Sequence, residues 1–149
     1  RQSVDWQTLI TIGASFGLGK ALEKSGAPAA VAQWLVTTSG NWGPYAVLAC
    51  VYIGTGIVTE MITNNAAAVL IFPFAVAIAG SLGVSPRPFV MAVIFAASAS
   101  FITPIGYQTN LMVYGPGGYR LGDFVRVGLP LHLVLWVAAT VLIPIAWHF

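Results

Sequence analysis

Thr59-Glu60-Met61-Ile62-Thr63-Asn64-Asn65-Ala66 lies between two apolar arms, about 44–62 and 66–82, and its reading decides the fold. Three consecutive polar side chains between such arms must face protein, water or a ligand, because hydrocarbon offers them no partner. Thr63, Asn64 and Asn65 stand where the second arm begins, and Thr or Asn there can cap unbonded N–H groups. An uncovered helix N-terminus carries about half a positive charge and suits an anion. The first arm ends in unpaired carbonyls near Met61 and Ile62, which suit a sodium ion. One tight turn therefore offers an anion half-site and a cation half-site. The structural alternative is a capped connector between two antiparallel helices. Glu60, the one charge inside an apolar run, is expected to brace the tip or to serve a cation.

A second interruption follows at Ser98-Ala99-Ser100-Phe101-Ile102-Thr103-Pro104-Ile105-Gly106-Tyr107-Gln108-Thr109-Asn110. Pro104 removes a helical N–H and crowds the preceding turn, while Gly106 permits backbone angles that other residues avoid. The reading is an unwound helix, with freed carbonyls for a cation and a new N-terminus near Thr109 and Asn110 for an anion. Its alternative is a proline kink, with Ser98 and Ser100 packed against a neighbouring helix. Several apolar arms hold only about 16–18 residues, against the roughly 20 that cross a bilayer core. Short, interrupted apolar segments are the sequence pointer to a binding site within a membrane.

Composition agrees with a lipid environment. Hydrophobic residues make up 58% of the 149 residues and charged residues 7%, against about 25% charged in soluble domains. A net charge of +2, scattered along the chain, gives no footprint for nucleic acid. The single cysteine, Cys50, excludes an internal disulfide and is read as a small packing residue. The spacing predicts helices at about 4–19, 28–38, 89–103 and 127–147, with a short helical piece from Asn110. Placing Lys20, Lys24, Arg120 and Arg126 inside and Arg1 and Arg87 outside satisfies the positive-inside rule. That count is the same whether residues 44–82 cross twice or return as a re-entrant hairpin. The tryptophans at 34, 42 and 147 sit near helix ends, as interfacial aromatics do. The chain opens at Arg1 without a secretory signal, and further membrane helices are expected ahead of it.

Other chemistries fare poorly. Thr11 to Lys20 imitates a dinucleotide-binding glycine loop, but no buried strand precedes it and no acidic residue follows at the required distance. Gly13, Gly17 and Gly19 are read instead as sites of close helix packing. His132 and His148 have no Cys or carboxylate at ligand spacing, which argues against zinc. No enzyme is expected.

The Thr59–Ala66 run resembles the signature of the divalent anion:sodium symporter family, which carries a Ser-Asn-Thr tripeptide at the tips of two re-entrant hairpins. Ser98 to Gly118 resembles the unwound helix that follows the second hairpin; the likeness extends to Asp5-Trp6 and Leu121-Gly122-Asp123-Phe124. The resemblance implies an all-α integral membrane protein, the second half of an inverted-repeat elevator transporter whose N-terminal half is missing here. It implies leading helices over about 1–43, a re-entrant hairpin over about 44–83, a discontinuous helix over about 88–118 and a final span over about 127–148. It further implies substrate contact at Thr63, Asn64, Asn65, Thr109 and Asn110, and a co-transported sodium ion at Ile62, Asn64, Ile105, Gly106 and Thr109. Pro104 and Gly106 would break the helix and Glu60 would support the tip. Thr63 stands for the family's serine and Asn64 for its asparagine, while Asn65 departs from the usual threonine. The Thr103–Gly118 run is similar to members with regulatory domains linked to sulfate, which favours sulfate over succinate. A homodimer in a cell membrane, multi-pass and bacterial inner, completes the implied picture. The alternatives are a sodium/proton or oxyanion antiporter of the same superfamily and a non-transporting membrane scaffold.

Overall fold

The computed structural model describes residues 6–39 and 43–149. Arg1, Asp5 and Trp42, each used above, lie outside the described residues. Seven helices and no strand occur among the described residues: α1 (Trp6–Ser25), α2 (Ala27–Ser39), α3 (Gly43–Thr59), α4 (Asn64–Leu82), α5 (Arg87–Ser98), α6 (Gln108–Tyr114) and α7 (Leu121–Ala146).

Local chemistry accounts for most of the boundaries. α1 continues six residues past Gly19, because Lys20, Ala21, Leu22, Glu23 and Lys24 are strong helix formers. Lys20 Nζ pairs with Glu23 at 3.0 Å, an exposed contact that adds little. Gly26 then turns the chain with φ 73°, and Pro28 sits in the first turn of α2. Thr63 caps α4, its Oγ1 accepting the Ala66 N–H at 3.4 Å. Gly83 closes that helix at φ 68°: its N–H reaches Gly80 O and the Val84 N–H reaches Ala79 O. This is the left-handed closure that glycine adopts without a steric penalty. α7 begins at Leu121 rather than near 127, because the Asp123 carboxylate accepts the Arg120 N–H at 2.8 Å and caps the extra turns.

The end of α5 departs furthest from expectation. A helix to about Thr103 was predicted from Pro104, but α5 stops at Ser98 and Ala99 leaves helical space at φ −96°, ψ 47°. Residues 99–107 are irregular before α6 begins at Gln108, two residues ahead of the expected Asn110. The N–H groups of Ile102 and Thr103 bond to Glu60, which is 42 and 43 residues away, instead of to the preceding turn. A distant carboxylate thus ends the helix before the proline can.

α4 is central, packed against α1, α2, α3 and α5, with α7 lying across α3 and α5. Ala67, Ala75 and Ala79 of α4 and Ala92, Ala96 and Ala97 of α5 are buried, so these backbones approach closely. Tyr52, Leu48 and Phe89 fill the remaining core. Trp136 of α7 donates through Nε1 to Ala49 O at 3.1 Å, tying α7 to α3. Phe149 lies between the rings of Tyr45 and Phe89, with centroids at 5.1 and 5.7 Å.

Two expected packing contacts are not found among the described residues. A Cβ at Gly13 or Gly17 would meet nothing within 4 Å among the described residues, and only Gly19 approaches a neighbour, Val69 of α4. Gly13 and Gly17 are one turn apart, on an exposed face of α1. Cys50 is likewise exposed on α3 rather than packed.

The outer surface is apolar. α7 exposes Val127, Leu129, Leu131, Leu133, Val134, Val137, Val141, Leu142 and Ile145. Such a continuous face would be exceptional against water and is ordinary against lipid. α4, at 19 residues, and α7, at 26, are long and apolar enough to cross a membrane.

Replacing Gly83 with alanine should destabilise the full-length protein by about 1 kcal/mol, the penalty of a left-handed residue with a Cβ. Gly80→Ala, in regular helix with open space around the new methyl, should be neutral or stabilising. Thermal unfolding in detergent separates the two.

Candidate functional site

The site is built where the turn between α3 and α4 meets the irregular stretch between α5 and α6. Glu60 immediately follows α3, and its two carboxylate oxygens accept one backbone N–H each, from Ile102 at 3.0 Å and Thr103 at 2.7 Å. The Thr103 hydroxyl returns the contact, donating to Glu60 O at 3.0 Å. One residue earlier, Thr59 Oγ1 donates to Ala97 O at 2.8 Å. Hydrogen bonds to a charged acceptor each contribute about 1.5–3 kcal/mol, roughly twice a neutral pair. Four bonds therefore join two consecutive residues of the tip to the end of α5 and the stretch beyond it.

The carbonyls freed by the break also find partners. Asn110 Nδ2 donates to Ser100 O at 3.1 Å and, at a longer 3.4 Å, to Thr103 O. Nδ1 of His132, on α7, lies 3.0 Å from Ala99 O. Gly106 is pressed so closely against the Thr59 carbonyl and the Ser100 side chain that a Cβ there would overlap both. Gly128 of α7 meets the Phe101 carbonyl in the same way. The stretch is irregular in backbone angles but is gripped by α3, α6 and α7 together.

Not all the residues singled out from the sequence are joined directly. Thr63 and Asn65 are exposed at the start of α4, and Asn64 is half-buried, its Oδ1 accepting the next residue's N–H at 3.0 Å. Ile62 is half-buried beside them. Across the junction, Ile105 and Thr109 are exposed, while Pro104 and Gly106 are buried. The bridge between the two groups runs through Thr59, Glu60 and Thr103, and Asn110 directs its amide nitrogen into the break itself. No cluster of three or more His, Cys, Asp or Glu side chains occurs among the described residues. A cation held here would therefore meet carbonyl, hydroxyl and amide oxygens, donors that suit a hard ion.

Sequence reasoning passed over Gly56, Gly128 and His132, and treated Ser100 only as a packing residue. Ser100 is 2% exposed, and its hydroxyl has no hydrogen-bond partner among the described residues. From the sequence His132 is considered only as a zinc ligand or as part of a hydrolase triad with Ser98 and Asp123, and its spacing supports neither. The available signal was the one ionisable residue of α7 beyond Arg126, with Gly128 one turn before it on the same face.

A polar turn tied to an irregular stretch between two short helices, within an all-helical bundle that turns apolar faces outward, is consistent with a membrane transporter. Residues 1–84 and 63–149 match the CitMHS citrate transporter family, and the chain belongs to that family. An uncharacterized transporter of Synechocystis sp. is 45% identical over 95% of this chain and 23% of its own length. The uncharacterized transporter YfbS of Escherichia coli is 37% identical over 99% of the chain and 24% of its own length. Sodium/sulfate cotransporter 1 of Chlamydomonas reinhardtii is 37% identical over 93% of the chain and 16% of its own length. The chain thus spans a quarter or less of each of these relatives. They are transporters rather than enzymes, in agreement with the resemblance drawn from Thr59–Ala66 and Ser98–Gly118.

Glu60→Gln leaves one acceptor oxygen for two N–H donors, so it should lower stability by about 2 kcal/mol, the penalty of one unsatisfied buried group. Thermal unfolding of the full-length protein reads that loss. Gly106→Ala should prove harsher, since the methyl meets backbone as well as a side chain, whereas Gly54→Ala, with nothing within 4 Å, should be tolerated. The yield of folded protein on size exclusion distinguishes these two.

Proposed function

We propose that the protein is a secondary active transporter that couples sodium to symport of a small divalent anion, with sulfate the first candidate and dicarboxylates the second. The carrying observation is the four-bond junction at Thr59, Glu60 and Thr103, which makes the hairpin tip and the break in the α5–α6 segment one unit. In this reading Thr63, Asn64 and Asn65, with Thr109 and Asn110, meet the anion at the start of α4 and beside the break. The positive end of α4 favours such a ligand. Ile62, Asn64, Ile105, Gly106 and Thr109 supply oxygens to sodium. The sodium ion partly neutralises the dianion, so that the pair can enter a low-dielectric site that neither would enter alone.

Helix lengths support the membrane geometry. α3 holds 17 residues and α4 19. At 1.5 Å per residue they reach about 25–28 Å, close to the thickness of a bilayer core, and the reading takes them as a re-entrant hairpin over residues 44–83 from the family resemblance rather than from length. α5 and α6, at 12 and 7 residues, are each too short to cross and act together as a discontinuous helix over residues 88–118. The exposed tip residues Met61, Thr63 and Asn65, and Ile105 and Thr109 across the junction, are surfaces that other parts of a full-length transporter would cover. The full-length protein is then a multi-pass protein of a cell membrane, in bacteria the inner one. It works as a homodimer whose hairpin-bearing part moves as an elevator. The names of the Chlamydomonas relatives support sodium and sulfate.

The antiporter alternative needs a membrane carboxylate that exchanges protons. Both oxygens of Glu60 are taken as acceptors by backbone N–H groups, which favours a bracing role over proton exchange and so favours symport. A non-transporting scaffold would leave polar substitutions at 63–65 with effects on stability alone.

In proteoliposomes holding the full-length protein, an inward sodium gradient should drive labelled sulfate uptake, with unlabelled succinate competing less well than sulfate. Asn64→Ala should fold normally and lose at least about 90% of that uptake, the scale of a tenfold loss for each 1.4 kcal/mol. No sodium-driven uptake of either anion would refute the symport reading.

A further inference from the structure

The first carbonyl beyond α5 is held from outside the hairpin. Ala99 leaves helical space, so its C=O is not met by the N–H four residues on, which belongs to Thr103 and bonds Glu60. The partner at Ala99 O is His132 of α7, with Nδ1 at 3.0 Å. A carbonyl only accepts, so the proton sits on Nδ1 and the imidazole donates. Glycine makes room for this ring: a Cβ at Gly56 of α3 would stand 2.6 Å from the His132 Cε1. One turn before His132, a Cβ at Gly128 would overlap the Phe101 carbonyl, so α7 lies directly on the backbone of the break. The ring is 8% exposed, with Tyr52 at 6.0 Å between centroids.

A buried histidine in an apolar helix is most often a satisfied core residue. His132 differs in where its donor goes, to the entry of the 99–107 segment. Glu60 holds the N–H groups at 102 and 103, and Asn110 holds the carbonyls at 100 and 103. His132 alone ties this segment to α7 by a side-chain hydrogen bond among the described residues. We infer that His132 is a positioning residue: by donating to Ala99 O it docks the break on α7 and sets where Ile105 and Gly106 stand relative to the hairpin tip. The inference deepens the symport reading and rests on it for the transport measurement alone.

Three variants of the full-length protein separate donor position from bulk. His132→Asn keeps an amide nitrogen near the place of Nδ1, His132→Gln carries it out to the distance of Nε2, and His132→Leu has no donor. In hydrogen–deuterium exchange read by mass spectrometry, amides of 99–107 should exchange about tenfold faster in H132L and H132Q. In H132N they should stay within about twofold of the native protein, and α1 and α4 should be unchanged in all three. Faster exchange throughout the molecule, or H132Q as protected as H132N, would overturn the inference. In sodium-driven sulfate uptake, H132L and H132Q should raise the sodium half-saturation about fivefold, the scale of one lost hydrogen bond, at an unchanged maximal rate per folded protein. H132N should restore it. Equal half-saturation in all four proteins, or a loss of maximal rate alone, would count against the role. The expected exchange pattern in a native protein without sodium-driven uptake would uphold the positioning role and sink the symport reading instead.

Discussion

The carboxylate of Glu60, facing the N–H groups of Ile102 and Thr103, is the contact on which the rest of the arrangement depends. A break in a helix that lies in apolar surroundings releases backbone donors and acceptors that hydrocarbon cannot satisfy. Both donors in this case are met by a single charged group from another helix, and the Thr103 hydroxyl repays its backbone carbonyl. Because the carboxylate comes directly after α3, displacing the α3–α4 turn from the 99–107 stretch would leave both N–H groups without their acceptor.

The acceptors of the break are handled separately from its donors. Asn110 turns back from α6 to the carbonyls of Ser100 and Thr103, and His132 reaches Ala99 from α7. Glycines permit the close approach on every side: Gly106 against Thr59 and Ser100, Gly128 against Phe101 and Gly56 against the imidazole. The result is an irregular backbone hydrogen-bonded from several sides, with Ile105 and Thr109 exposed on one side of the junction and Thr63 and Asn65 on the other. Ordered irregular backbone of this kind can present oxygens to an ion without first having to fold around it.

Much of this was legible in the sequence. The apolar arms, the tripeptide Thr63-Asn64-Asn65 and the run from Ser98 to Asn110 announced a lipid environment and two interruptions, because hydropathy and helix-breaking chemistry are local properties. The same local logic misplaced the end of α5. Pro104 pointed to residue 103, whereas Glu60 stops the helix at Ser98 by claiming N–H groups that a longer helix would have used. Gly13 and Gly17, whose spacing suggests close packing, meet nothing nearby among the described residues.

By itself the sequence determined the all-helical membrane class, the cap at Thr63 and the position of the polar tip, since each follows from residues within a few positions of one another. Only the tertiary structure decided that Glu60 serves the break as well as the tip, that Asn110 turns inward and that His132 touches Ala99. Those pairings span 10 to 42 residues and depend on how α3, α5, α6 and α7 lie against one another. A sequence lists the donors and acceptors; which of them meet is settled only when packing brings distant backbones within about 3 Å.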